Sequence, residues 1–282
     1  MRKRRKKQEL TGLLFVLPSL VGVLAFVLAP FADVIRRSFV SAITEEWVGL
    51  KNYQDVLVNN AFRLACWNTF RFSVICLPAL LGISLLIGVL LQEKTRAGEA
   101  IKTAFLFPMA IPVASVVLVW RTLFEKQGLL NGIWNGLGLS PVEWMDSPTA
   151  FWVLVGSYLW KNLGYDIVLW MAGLSGISSA IYEAARIDGA GEWTIFRRIT
   201  LPCLLPTLFT VSVLSILNSF KVFREAYLVA GDYPHRSMYL LQHLFNNWFR
   251  DLSFDRMAAG AVLVCLVILC LIGIMRRGFD KE

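Results

Sequence analysis

Two sets of residues in this sequence could do chemistry. The first is a group of polar side chains set inside apolar runs. Lys161, Asn162, Tyr165 and Asp166 lie between the apolar stretches 151–160 and 167–174, and Asn218, Ser219 and Lys221 lie at the end of a run that begins near Thr200. A charge at the middle of a bilayer costs about 2.5–3.5 kcal/mol on insertion scales, so such residues mark candidate solute paths. Amide and carboxylate groups there would hydrogen-bond a polar solute, with a ring such as Trp160 or Phe220 stacked against it. The plainer reading is that Lys161 and Asp166 neutralise each other, or that Lys221 snorkels to the outer boundary.

The second set lies in the stretch 178–202. Ser178 or Ser179 is placed to cap a short helix whose Ala184-Ala185-Arg186 interior favours that conformation. Gly189 and Gly191 permit the left-handed or open dihedrals needed to leave it. A second helix would carry Ile195, Phe196 and Ile199 on its apolar side, and Pro202 suits the first turn of the segment that follows. Small side chains at a bend with charges around them make a shape that enters a groove on another protein. The plainer reading is an amphipathic connector lying on a membrane surface.

Catalytic chemistry finds little support. The sequence has no Gly-x-x-x-x-Gly-Lys-Ser/Thr loop to cradle ATP phosphates, no His-Glu-x-x-His and no Gly-x-Ser-x-Gly. Its two histidines, His235 and His243, stand at i and i+8, a poor metal spacing, and no metal or bound cofactor is expected. The five cysteines form no CxxC pair and read as small hydrophobes.

The elements that would position these residues follow from composition. The 282 residues are 56% hydrophobic, with a mean hydropathy of +0.59, above the usual content of soluble domains. The net charge of +8 does not point to nucleic acid, because six of the 28 basic residues cluster in 2–7, directly before a long apolar run. That cluster reads as a topology signal, with attraction to anionic lipid second. The uncharged run 10–32 is longer than the h-region of a signal peptide and is expected to remain as an anchor.

A bilayer core about 30 Å thick takes roughly 20 residues of helix. Five segments meet that length, 10–32, 72–91, 103–120, 200–220 and 257–275, and a sixth, about 150–177, is apolar at both ends around Lys161, Asn162 and Asp166. With six spans, the segments 1–9, 92–102, 178–199 and 276–282 share one side and hold 15 basic residues. The opposite segments hold 12 over more than twice the length, so both termini and the 178–199 loop are expected in the cytoplasm. The outer segments are expected to include an amphipathic stretch running to Phe62 and a turn-rich connector marked by Gly128, Gly132, Gly136, Gly138 and Pro141. No internal repeat is evident, which argues against a secondary transporter built from inverted halves.

Within this frame the loop acquires a specific meaning. Glu183-Ala184-Ala185, Gly189 four residues further on, Ile199, and Leu201-Pro202 fall at the spacing of the EAA loop of binding-protein-dependent ABC importer permeases, with Asp188, Ala190, Phe196 and Pro206 also matching. The chain resembles that family over nearly its whole length, most closely the six-span sugar permeases of the maltose and glycerol-3-phosphate type. Gly49-Leu50-Lys51-Asn52-Tyr53, Phe62 and Asn68-Thr69 resemble the opening of the family's core domain. Ser219-Phe220-Lys221-Val222-Phe223 with Tyr227 resembles the close of its fifth span. Gly231-Asp232-Tyr233-Pro234 departs from a common Gly-Gly-Pro turn, and Ser178 stands where a proline is common.

The resemblance implies an all-α integral membrane protein of the type I importer permease fold, non-catalytic, in a bacterial cytoplasmic membrane. It implies a basic tail (1–9), an anchor helix (10–35), an extracytoplasmic loop (36–65), a five-span permease core (66–276) and a short tail (277–282). The implied partners are a second, homologous permease, two cytoplasmic ATPase subunits that hold ATP and magnesium, and an extracytoplasmic solute-binding protein. Glu183, Ala184, Ala185, Asp188, Gly189, Ala190, Phe196, Ile199, Leu201 and Pro202 would couple the bundle to the ATPase. The remaining alternatives are a permease for a non-sugar solute, an ion-coupled transporter suggested by Lys161 and Asp166, and a membrane scaffold or enzyme without transport.

Overall fold

In lipid every backbone polar group must be satisfied within its own segment, so long apolar runs become helices. The computed structural model describes residues 15–91 and 96–279, and among them the only β pairing is an isolated bridge between Val40 and Trp47. The tail 1–9, the start of the expected first span, residues 92–95 and residues 280–282 lie outside the described residues.

Fourteen α-helices carry the chain in order among the described residues, with short π and 3-10 turns between some of them. They are α1 (Phe15–Arg37), α2 (Lys51–Val58), α3 (Asn60–Leu90), α4 (Arg96–Ala110), α5 (Val113–Phe124), α6 (Leu129–Gly136), α7 (Ala150–Ser175), α8 (Ser179–Ile187), α9 (Glu192–Ile195), α10 (Leu201–Cys203), α11 (Leu205–Ser219), α12 (Phe223–Ala230), α13 (Leu241–Arg250) and α14 (Phe254–Phe279). Four stretches are long and apolar enough to cross a membrane: Phe15–Arg37, Asn60–Leu90, Leu205–Ala230 and Phe254–Gly278. Two bent pairs bring the number up to six if each is one span. The chain is a multi-pass membrane protein.

The expected span 103–120 is not a continuous helix. It breaks between α4 and α5, and the two arms meet at a 98° bend. Pro112 is the cause: it disfavours helical dihedrals at Ile111 and itself takes ψ 144° as the N-cap of α5. α3 begins at Asn60, twelve residues ahead of the expected apolar start at Phe72. Phe62, Ala65, Asn68, Phe72, Cys76, Leu80, Ser84 and Gly88 recur every three or four residues and form one buried stripe, so the helix continues wherever that stripe finds packing. The expected turn-rich connector contains a helix, α6, despite its glycines. The buried Asn131 amide holds it, donating to the carbonyls of Lys126 (3.0 Å) and Val142 (2.8 Å) and accepting from Trp144 Nε1 (3.0 Å).

The chain divides into two compact units. One comprises the described residues up to Asn59 with Asn247–Leu269. There Asn52 Nδ2 donates to the carbonyls of Ser38 (3.1 Å) and Val40 (3.0 Å), and the Ser38 and Tyr53 hydroxyls lie 2.6 Å apart. The Gly-Leu-Lys-Asn-Tyr stretch thus staples the end of α1, with Phe39 stacked on Trp47.

The other unit comprises Asn60–Asn246 and the described residues from Cys270. In it α7 packs against α3, α4 and α11, and α5 packs against α12. Phe72, Leu80, Trp120, Phe151, Leu154 and Tyr158 form one core cluster, and Trp170, Leu174, Leu204 and Val211 another. Association of helices in lipid depends on close packing and small interface residues. Gly164 is the clearest case: a Cβ there would lie 2.0 Å from the Phe105 carbonyl oxygen. Ser84 accepts from Trp170 Nε1 at 2.9 Å. Asn68 Nδ2 donates to the carbonyls of Arg236 (2.6 Å) and Tyr239 (3.0 Å), tying α3 to the segment before α13.

Candidate functional site

The loop 178–202 folds into the expected pair of short helices with a bend. α7 and α8 meet at 70° across a break of a few residues. Ser178 is the extended N-cap of α8, but its side chain makes no capping hydrogen bond. α8 ends in a Schellman motif: Gly189 has φ +78°, Gly189 N donates to the Arg186 carbonyl (3.1 Å), and Ala190 N donates to the Ala185 carbonyl (3.0 Å). That φ is why a glycine stands at this offset. Gly191, by contrast, is extended (φ −71°, ψ 157°) as the N-cap of α9 and uses none of glycine's special freedom.

After α9 the chain makes a π-helical turn, Phe196–Thr200, closed by Leu201 N on the Phe196 carbonyl. Pro202 and Pro206 each remove a donor from the ladder, and α11 starts only at Leu205. Ile195 and Thr200 are buried, with Phe196, Ile199 and Leu201 half-buried. The Tyr182 hydroxyl lies 3.2 Å from Thr200 Oγ1, and Arg186 Nε donates to Glu192 Oε1 at 2.9 Å across the bend. That ion pair is exposed and screened by solvent, so it orients the helices more than it stabilises them.

Ala180, Glu183, Ala184 and Ile187 share one exposed face of α8, at spacings i, i+3, i+4 and i+7. Ile187 is 86% exposed and Trp193, beyond the bend, 71% exposed. Asp188 and Pro202 are also exposed, whereas Ala185 and Ala190 are half-buried. The motif residues therefore divide into an outward row around Glu183 and a half-buried row of Ala185, Ala190, Phe196, Ile199 and Leu201. Ile187 and Trp193 are not among the motif's fixed positions. The signal for them was a large apolar residue placed beside the bend; Trp193 stacks on Phe196, three residues on, at 5.8 Å between ring centroids.

The polar residues of the spans come together in part. Lys161, Asn162, Asn218 and Lys221 line one cavity of about 170 Å³ bounded by Met109, Val113, Trp120 and Tyr158. Ser219 lies at a separate, smaller pocket, and Tyr165 is half-buried outside this lining. Trp160 and Phe220 also lie outside it. Trp160 instead borders an apolar cleft of about 480 Å³ with Trp120, Trp144 and Trp152.

The expected neutralisation of Lys161 by Asp166 does not occur. Five residues along a helix is a rotation of about 140°, so the two side chains leave α7 on different faces. Lys161 ion-pairs with Glu225 of α12, and Asp166 accepts from Ser215 Oγ at 2.8 Å. Lys221 is exposed, and its ammonium donates to Asn218 Oδ1 at 2.7 Å. The Lys161 and Glu225 side chains are 18% and 9% accessible, and Glu225 Oε2 has no hydrogen-bond partner. Glu225 and Arg224 also line the cavity. Both were missed because the apolar run was expected to end at Phe220, whereas the helical stretch continues to Ala230.

The family described as the binding-protein-dependent transport system inner membrane component matches residues 80–281. Over 275 residues the chain is 30% identical to the trehalose/maltose transport system permease protein MalF of Thermococcus litoralis, covering 95% of this chain and 92% of that one. It is also 30% identical to the arabinooligosaccharides transport system permease protein AraP of Bacillus subtilis, covering 95% and 88%. The crystal structure of a bacterial ABC transporter involved in the import of the acidic polysaccharide alginate contains a chain of the same fold (TM-score 0.86, 21% identity, covering 100% of this chain and 99% of that one). With the family matched over most of its length and relatives of this similarity spanning nearly all of it, the chain belongs to the binding-protein-dependent inner membrane components of ABC transporters.

Proposed function

We propose that this chain is the membrane-spanning subunit of an ATP-driven importer that carries a sugar or oligosaccharide inward across a bacterial cytoplasmic membrane. The observation that carries this reading is the bent, solvent-facing loop 178–202, with Glu183, Ala184 and Ile187 in an outward row and Gly189 fixing the turn. Transport proteins of related sequence named for maltose and arabinooligosaccharides support the solute class.

In this reading the chain makes six passes, each bent pair counting as one, with both termini in the cytoplasm. Residues 66–276 are the permease core, and 1–9 and 277–282 the tails. A second, homologous permease completes the pathway, two ATPase subunits hold ATP and magnesium below it, and a binding protein delivers solute from outside. ATP closes the ATPase pair, its clefts draw the loop, and the bundle shifts between inward-open and outward-open states. The nucleotide acts by population shift, because it binds one global state better than the other. Glu183 contributes a charged contact to the ATPase cleft. Ala184 permits close approach there, and Phe196, Ile199, Leu201 and Pro202 transmit the movement into α11. Lys161, Asn162, Asn218 and Lys221 face the solute, with Tyr165, Asp166 and Ser219 supporting the path.

The test is uptake of the binding protein's ligand by cells carrying Glu183→Ala or Gly189→Val. Both variants should remain in the membrane and lose most ATP-dependent uptake. Full ATP-dependent uptake in both, or wild-type uptake that needs no ATPase and collapses with the proton gradient, would contradict the reading.

A further inference from the structure

The cavity between α5, α7 and the α11–α12 junction has an unbalanced charge. Its lining carries three cations, Lys161, Lys221 and Arg224, and a single carboxylate, Glu225. Lys161 is matched by Glu225, and Lys221 meets only the neutral Asn218 amide. Lys221 and Arg224 are exposed, so they set two solvent-screened positive charges at the mouth of a space walled by Met109, Val113, Val116 and Trp120, a local excess that attracts an anion. A second feature is independent of that excess. Glu225 is nine-tenths buried, and its Oε2 is an acceptor without a donor. A buried acceptor left without a donor keeps its desolvation penalty, so a donor from the occupant is favoured there.

The two features ask for different groups on one ligand: a hydroxyl for Glu225 Oε2, and an anionic group for Arg224 and Lys221. We propose that this cavity takes an acidic sugar, one whose hydroxyls sit between Glu225, Asn162 and Asn218 while a carboxylate, sulfonate or phosphate pairs with Arg224 and Lys221. The proposal rests on the importer reading and sharpens its solute class. Asn162 Nδ2 is engaged by the Tyr158 carbonyl (2.9 Å), so its amide oxygen is the atom offered to the ligand.

The test uses the assembled complex of this chain with its partner permease and ATPase subunits, without binding protein, in phosphatidylcholine nanodiscs. The probes are trigalacturonate and its fully methyl-esterified form, matched in size and hydroxyl pattern, with binding read by equilibrium dialysis. The free acid should bind at least about tenfold more tightly than the ester, and this preference should weaken with salt. Lys221→Gln/Arg224→Gln, which spares the Lys161–Glu225 pair, should abolish the preference. Glu225→Gln should weaken both probes. An ester that binds as tightly as the acid, a preference unchanged in the double variant, or no binding of either probe overturns the proposal while leaving the importer reading standing. A difference between wild type and variant that arises only when phosphatidylglycerol is added would mean that the cations serve lipid headgroups, and also overturns it. A chain that never copurifies with an ATPase overturns both.

Discussion

Replacing Lys161 by methionine removes the one partner of a carboxylate that is 9% accessible and already has an unsatisfied oxygen. Breaking a buried ion pair from one side costs about 3–5 kcal/mol, because the remaining charge stays out of water without compensation. At 1.4 kcal/mol per factor of ten, that is a change of about a hundred- to a few-thousand-fold in the folded-to-unfolded ratio. Removing both charges, as in Lys161→Met/Glu225→Met, should recover all but about 1–2 kcal/mol, since well-packed apolar residues replace such pairs at little cost. Asp166→Asn should cost about 1–2 kcal/mol through the Ser215 hydrogen bond and should add to Lys161→Met without coupling. The assay is reversible unfolding in mixed micelles by sodium dodecyl sulfate, run as two double-mutant cycles. Strong coupling of Lys161 to Asp166, or a double Lys161–Glu225 variant no more stable than Lys161→Met, would refute the pairing.

Other consequences are open to similar measurement. Gly164→Ala sets a methyl group against the Phe105 backbone, which cannot rotate away, so α4 must shift; the expected loss is about 1–3 kcal/mol in the same unfolding assay. Gly189→Ala forces a side chain into the left-handed region at about 1–2 kcal/mol and should lower uptake more than it lowers the amount of chain in the membrane, as read by immunoblot beside transport. His243, in the amphipathic α13, is fully buried beside Phe223 and Tyr239, and burial holds its pKa down to about 4, with Asp232 opposing weakly. The unfolded chain therefore takes up the proton first: stability is full above about pH 6.5 and falls as pH drops toward 4, by on the order of 3 kcal/mol. Thermal unfolding from pH 4 to 8 should show this slope, and His243→Gln should flatten it.

What could be read in advance follows from the range of each interaction. The bend at Gly189 is local: it depends on one dihedral and two hydrogen bonds within the six residues 185–190, so its spacing is visible in the chain itself. The helical class was likewise set by runs of apolar residues. The charge pairing was not visible, because Lys161 and Glu225 lie 64 residues apart and meet only through the packing of α5, α7 and α12. Helix ends differ from apolar-run ends for a related reason: α3 extends back to Asn60 along a packing stripe that an apolar-run criterion does not count. The helix at Leu129–Gly136 was hidden by its glycines, since Asn131 overrides their weak propensity through contacts with Val142 and Trp144. The break at Ile111 had a legible cause in Pro112, and the unbroken length of the apolar run outweighed it.

The central claim is that the face bearing Glu183 and Ile187 is gripped from the cytoplasm by a nucleotide-driven partner. A photo-reactive amino acid placed at Ile187 in living cells, irradiated and analysed by mass spectrometry, tests this directly. The account predicts a covalent adduct with an ATPase subunit, its yield changing when ATP hydrolysis is trapped. Adducts only with lipid or with extracytoplasmic proteins would contradict it.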